Sequence, residues 1–166
     1  YVGEHGFVAL RIVQWLWELP CTHPLYYPLL TTCVELDVPV CLQVGHTGPL
    51  RSSESGRPSY IERIALDFPD LKIVCGHIGY PWQGEMIAVA TKFPNVYIDT
   101  SAYVPKRYPP ELVSYMKHHG KHKVMFGTNY PMITPQTCMA QAQMLDLDAE
   151  TAELFFHGNA ERVFKL

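Results

Sequence analysis

Three polar side chains stand directly after apolar runs, where they could bind a ligand or move a proton. His46 lies in the segment QVGHTGP, His77 in VCGHIGYPW and Asn129 in MFGTNYP. An imidazole in a loop rich in Gly or Pro can hold a metal ion or transfer protons near neutral pH, and a short amide can orient a ligand or hold a turn. A histidine bonded only to the backbone is an equal alternative for His46 and a weaker one for His77.

Four further charged residues lie in the same kind of segment. Asp99 ends the run VYID, where capping of the following loop is the favoured interpretation. Arg51 follows His46, and Lys106 and Arg107 follow Asp99. Each of these cations could attract an anionic substrate, although long charged side chains most often lie at a solvated surface.

The composition narrows the class of protein. Of 166 residues, 48% are hydrophobic and 17% are charged, with a net charge of -3. This balance predicts a globular core and no affinity for nucleic acid or an anionic membrane. The five cysteines are odd in number and lack CxxC spacing, which favours reduced thiols in a cytoplasmic protein. We recognise no signal peptide, but the first residue is Tyr, so a preceding segment is expected.

The elements that would position these residues alternate between short apolar runs and helical segments. Such runs suit parallel strands buried on both faces, and they recur at intervals that fit one strand–helix unit. Polar residues end several of the strands, which favours a barrel, whereas a Rossmann domain would carry a GxGxxG turn that is absent here. The predicted strands are Phe7–Val13, Pro39–Val44, Leu71–Cys75, Val96–Thr100 and Lys123–Gly127.

Several residues between these strands are predicted to start helices. Ser59 and Glu62 have the spacing of a capping box, and Pro81 would occupy a first helical position. Thr134 and Asp148 are the expected N-caps of two later helices.

Four motifs resemble a known family. The strings GHIGYPW, NVYIDTSAY, KVMFGTNYP and NAERVF are similar to the second half of the amidohydrolase-related barrels, the family that includes the aminocarboxymuconate-semialdehyde decarboxylases. The resemblance runs from Phe7 to Phe164. It implies an α/β fold, a partial (β/α)8 TIM barrel of about the last five βα units. Residues 1–166 would then form one domain, with three further strands expected before Tyr1.

The resemblance also implies a site. In this family a single divalent metal, usually zinc, is held by a His-x-His pair on the first strand, a His on the fifth and an Asp on the eighth. His46 matches the fifth-strand ligand, Asn129 stands where the Asp belongs, and His77 matches a histidine that shuttles protons. This chain has no His-x-His pair and an amide in place of the carboxylate. We therefore expect the chain alone to hold zinc weakly or not at all.

The implied function is a metal-dependent hydrolase or a non-oxidative decarboxylase. The substrate would be small and carboxylate-bearing or cyclic, with Arg51, Lys106 or Arg107 holding its carboxylate. An inactive fragment or pseudoenzyme of the same fold is the alternative, and a non-catalytic binding module fits least. We expect no nucleic-acid or membrane partner. A five-stranded sheet would also leave open edges, so a homo-oligomer or association with another chain is a possible way to cover them.

Overall fold

The computed structural model describes residues 1–166 and contains one parallel sheet. Its five strands are hydrogen-bonded in chain order. Because the first and last strands each pair on one side only, the sheet is open at both edges. The strands are β1 (Leu10–Ile12), β2 (Val40–Gln43), β3 (Ile73–Gly76), β4 (Val96–Asp99) and β5 (Val124–Met125).

The main core lies between one face of this sheet and the helices that connect the strands. Leu42, Cys75 and Ile98 occupy one row across neighbouring strands, and all three are fully buried. Because side chains alternate between the faces of a strand, every second residue contributes to this core. The connecting helices contribute apolar side chains such as Leu30 and Met86. Together with the strand residues they form one continuous core between the sheet and these helices.

Eight helices complete the chain. A π-helical turn at Leu154–Gly158 joins the last two, and short 3-10 helices occupy several loops. None of the helices combines the length and the apolar character that crossing a membrane requires. The helices are α1 (Val2–His5), α2 (Tyr27–Glu35), α3 (Ser59–Asp67), α4 (Gln83–Lys92), α5 (Pro110–Lys117), α6 (Pro135–Ala142), α7 (Ala149–Glu153) and α8 (Asn159–Phe164).

The opposite face of the sheet is only partly covered. Val74 and Met125 pack there against Val163 of α8 in a small second cluster. Arg11 belongs to this face, because its neighbours Leu10 and Ile12 both join the main core on the other side. This surface is the inner face of the partial barrel, and we use that name below.

Several local predictions are confirmed and others are wrong. All five strands exist, but β1 and β5 are shorter than predicted. Thr134 and Asp148 cap α6 and α7 through their side chains. Ser59 forms no capping box, because α3 begins at Ser59 itself without a side-chain cap. Pro81 does not open α4, which begins at Gln83.

Candidate functional site

The loops that follow β2 and β3 meet at the carboxyl end of the sheet. Gly45 has φ +92°, and a Cβ there would lie 2.4 Å from the carbonyl oxygen of Tyr80. Only glycine accepts both that conformation and that approach. The backbone N–H of His46 then donates to the same carbonyl. His46 and His77 therefore follow the ends of two neighbouring parallel strands, on loops that contact each other.

His77 is held in a left-handed backbone conformation and its side chain is buried. Its φ is +75° and that of Ile78 is +53°, and the N–H groups of both donate to the carbonyl oxygen of Asp99, at 3.1 and 3.3 Å. The side chain is 8% exposed, and Nε2 is buried without a hydrogen-bond partner. Burial, with a smaller contribution from the positive charge of Arg11, lowers the pKa of His77 to about 4. The ring is therefore neutral at pH 7, with one nitrogen free.

Asp99 presents a partly buried carboxyl group at the end of β4. One of its oxygens accepts from the N–H of Ser101 and the other from the Ser101 hydroxyl, both at 2.8 Å. This is the loop-capping role that the sequence favours. Burial raises the pKa of Asp99, while the Ser101 hydrogen bonds and the charge of Arg11 oppose that shift. A Cβ on Gly127 would lie 2.1 Å from Oδ1 of Asp99, so glycine at 127, in the loop after β5, makes room for the carboxyl group.

A cavity of about 290 Å³ opens on the inner face beside Asp99. Its polar wall is formed by residues of β1 and β4 and of the loop after β5. Its apolar wall includes Val74 and Met125. The polar lining residues that matter below are Arg11, Asp99, Ser101, Thr128 and Asn129.

The predicted substrate-binding cations lie elsewhere. Arg51 is exposed, with its guanidinium 3.7 Å from the carboxylate of Glu18. Lys106 and Arg107 line a separate surface depression. None of the three lines the cavity beside Asp99. Arg11, which sequence analysis missed, does. Its only signal in the sequence is a charge in the middle of an apolar strand.

The two predicted metal ligands are exposed. The ring of His46 meets that of Tyr80 edge to face, with centroids 6.4 Å apart. Asn129 has φ +62° and lines the cavity. The chain has no group of three or more His, Cys, Asp or Glu side chains that could hold a metal ion. Catalytic zinc sites generally use three protein ligands, so these residues do not by themselves fit the metal that the resemblance implies.

Comparison with known proteins defines the class. The profile of the Amidohydrolase family matches residues 1–166, so the chain belongs to that family. Its members among solved structures share the TIM-barrel fold, of which this open sheet is a part. A comparison with curated proteins gave no match.

Three solved structures illustrate the likeness. An uncharacterized TIM-barrel protein from Bordetella bronchiseptica is 27% identical with a TM-score of 0.87, over 96% of this chain and 58% of that one. A 2,6-dihydroxybenzoate decarboxylase is 17% identical with a TM-score of 0.76, over 99% and 64% of the chains. The 5-carboxyvanillate decarboxylase of Sphingomonas paucimobilis is 18% identical with a TM-score of 0.71, over 98% and 60%. The chain thus spans about three fifths of the length of these relatives.

Proposed function

We propose that this chain forms the carboxyl-terminal part of the active site of a hydrolase or non-oxidative decarboxylase that acts on a small carboxylate-bearing or cyclic substrate. Three further βα units would complete its barrel, in keeping with the open sheet and with the share of each relative that the chain spans. Membership of the Amidohydrolase family supports the kind of enzyme. Two of the similar structures are decarboxylases, which supports including that reaction.

The observation that carries this proposal is the unpaired Nε2 of His77. Buried polar atoms are nearly always hydrogen-bonded, and an exception calls for an explanation. A substrate or water that enters the site would supply the missing partner. A neutral imidazole can then accept a proton from that partner or donate one to it, depending on its tautomer. His77 would thereby move a proton to or from the reacting group.

The pKa of His77 suits this task only once a ligand is bound. At about 4, it makes the free imidazole a weak base at pH 7. An anionic ligand near Arg11 would offset the positive charge that helps to lower this pKa, and it would favour the protonated ring. Binding and proton transfer would then be coupled, because the group that attracts the substrate also tunes the base.

A metal ion of this class would draw on two positions of this chain. His46 and Asn129 are the positions of this chain that could contribute ligands, and other donors would have to complete the set. Asn129 brings a neutral oxygen where a carboxylate would bring a charge. Asn129→Asp should therefore tighten zinc binding and raise turnover at equal metal loading. If the parent holds stoichiometric zinc and Asn129→Asp lowers turnover, Asn129 is a functional ligand in its own right.

Turnover by the purified full-length protein tests the proposal. The protein would be stripped with a chelator, reloaded with Zn²⁺, and assayed for CO₂ release from 2,6-dihydroxybenzoate and for hydrolysis of p-nitrophenyl acetate. We expect zinc-dependent turnover of at least one compound and its loss in His77→Asn. A folded, zinc-loaded protein that turns over neither compound would contradict the proposal.

A pseudoenzyme is the second candidate, and one observation favours it. The chain lacks three metal-ligating side chains in one place, and an amide stands at 129. In that case the cavity would still bind a small molecule without converting it. Binding of a carboxylate without turnover in the assay above would support this candidate.

A further inference from the structure

We propose that Arg11 is the group that binds the carboxylate of a small ligand in the cavity on the inner face of the sheet. This inference rests on the proposed function, because it names an anion-binding residue for the substrate of that function, on the same sheet as His77. Arg51, Lys106 and Arg107, the candidate substrate-binding cations of the sequence analysis, do not line this cavity.

The position of Arg11 follows from strand alternation. Leu10 and Ile12 pack into the main core, so the side chain between them projects from the opposite face. Arg11 pairs in register with Cys41 on β2, and both line the cavity with Asp99. The position of the Arg11 backbone in β1 therefore places its side chain at the wall of the cavity.

The charge of Arg11 is available to a ligand. Three other arginines, Arg51, Arg57 and Arg63, form salt bridges with carboxylates, and Arg11 forms none. The carboxyl group of Asp99 shares the cavity, but it accepts hydrogen bonds from Ser101 and forms no salt bridge with Arg11. Burial is the main cause of the pKa shifts of His77 and Asp99, yet the charge of Arg11 contributes to both. Its positive potential therefore reaches the proposed proton-transfer residue.

A simpler role for Arg11 is protection of an open sheet edge. Charged residues on edge strands discourage pairing with other chains, and β1 is an edge in this sheet. That role needs only a charge facing solvent. It does not explain a cavity that places the same side chain beside the Asp99 carboxyl group and the apolar surface of Val74 and Met125.

The cavity sets the chemistry of the ligand. A guanidinium group binds a carboxylate through two parallel hydrogen bonds. The cavity of the open sheet measures about 290 Å³, and a ligand that carries both a ring and a carboxylate would place each part against its own wall. Val74, Met125 and Phe126 offer apolar surface to such a ring. We therefore assign the site to a small cyclic or aromatic carboxylate.

The test compares benzoate with benzamide, its neutral analogue, in titration calorimetry of the full-length protein with chelator present. We expect benzoate to bind more tightly than benzamide. Arg11→Gln should weaken the affinity for benzoate about tenfold to a hundredfold, as for the loss of other hydrogen bonds to charged groups. The affinity for benzamide should not change. Arg11→Lys should recover part of the loss, because it restores the charge without the two-pronged geometry.

Arg63→Gln is the matched control, because Arg63 is exposed on α3 and pairs with Asp67, away from the cavity. It should bind benzoate like the parent. Equal benzoate affinity in the parent and Arg11→Gln, or no benzoate binding by the folded parent, would overturn the assignment. The titration needs neither metal nor turnover. If turnover fails but benzoate still binds through Arg11, this inference stands without the proposed function. If turnover succeeds but Arg11→Gln does not weaken benzoate binding, only the role of Arg11 is rejected.

Discussion

Polar groups at the two ends of the sheet differ in their hydrogen bonding. At the amino end, buried side-chain amides and a partly buried ammonium group donate hydrogen bonds to backbone carbonyl oxygens. At the carboxyl end, strained backbone positions surround a buried imidazole nitrogen that has no partner. Stability in barrels is generally carried by the amino end of the strands and chemistry by the carboxyl end, and the polar groups of this open sheet differ in the same sense.

The amino end is held by side chains that bridge several carbonyl groups. The Asn95 amide donates to the carbonyl oxygens of Phe68 and Leu71, at 3.1 and 3.0 Å. The ammonium group of Lys123 donates to three more, at 2.7 to 3.1 Å. Burial lowers the pKa of Lys123 to about 8, with a smaller contribution from Arg162. Asn95, just before β4, is thereby joined to the segment before β3, and Lys123, just before β5, is joined to the start of β4 and the segment before it.

The carboxyl end has the opposite character. Four non-glycine residues there adopt left-handed backbone conformations, which cost free energy: His77, Ile78, Ala102 and Asn129. Such strain persists where surrounding structure enforces it, and it clusters at functional sites. The comparison therefore predicts that substitutions at the two ends will separate stability from function.

The largest expected effect is on turnover at the carboxyl end. His77→Asn should lower the rate by about 10²- to 10⁴-fold, the usual contribution of a positioned acid or base. The free energy of unfolding should change by no more than about 1 kcal/mol, because Nε2 makes no hydrogen bond and Asn tolerates the left-handed conformation. Steady-state kinetics and urea unfolding would measure the two effects. Unchanged turnover in a folded variant would contradict the assignment of function to the carboxyl end of the sheet.

The converse effect is expected at the amino end. The Asn159 side chain is fully buried and donates to the carbonyl oxygens of Lys121 and Val124, at 2.7 and 2.8 Å. Asn159→Leu should cost about 2–4 kcal/mol of unfolding free energy, because it leaves two acceptors without partners. Turnover per folded molecule should not change.

Asn129→Leu is the matched substitution at the carboxyl end. Asn129 is exposed, so we expect a loss of at most about 1–2 kcal/mol, from placing Leu in a left-handed conformation. Equal losses in the two variants, measured by urea unfolding, would show that the ends do not differ in stability.

The pH dependence of stability should report the burial of His77. Its pKa is lowered from 6.5 to about 4 in the folded state, so between these values the unfolded chain binds more protons. Stability is therefore fully present above pH 6.5 and falls as the pH drops toward 4, by at most about 3 kcal/mol. Thermal or urea unfolding across this range should show the loss, and His77→Asn should reduce it. The same slope in both proteins would assign the effect to other groups.

Strand order and the carboxyl-end position of the histidines could be predicted because both depend on local pattern. Apolar runs such as IVCG mark buried strands, and a parallel sheet brings the residues after them to one edge. The short lengths of β1 and β5 could not be predicted from the sequence, because pairing with neighbouring strands decides where a strand ends. Ser59 fits a capping box by spacing, yet the chain turns into α3 before that residue.

The cavity was beyond prediction because it depends on distant residues. The Asp99 carboxyl group fits beside the loop after β5 only because Gly127 in that loop lacks a Cβ. Arg11 interrupts an apolar run, and its direction follows from which of its neighbours enter the core. The loop cations were named because they follow a candidate residue in the chain, Arg51 after His46 and Lys106 and Arg107 after Asp99. Nearness in the chain does not determine which side chains share a cavity.

The smallest expected effect tests whether the carboxyl end also contains elements that serve stability alone. Thr134 begins α6 in the segment after Asn129, and its hydroxyl accepts from the N–H of Thr137 at 3.3 Å. Thr134→Ala should cost about 0.5–1 kcal/mol, as for other exposed N-caps, and Thr134→Ser should keep most of that stability. Urea unfolding and steady-state kinetics would be compared for the two variants. If Thr134→Ala instead lowers turnover per folded molecule with little loss of stability, then α6 helps to position the loop of Asn129, and the functional region extends beyond the strand ends.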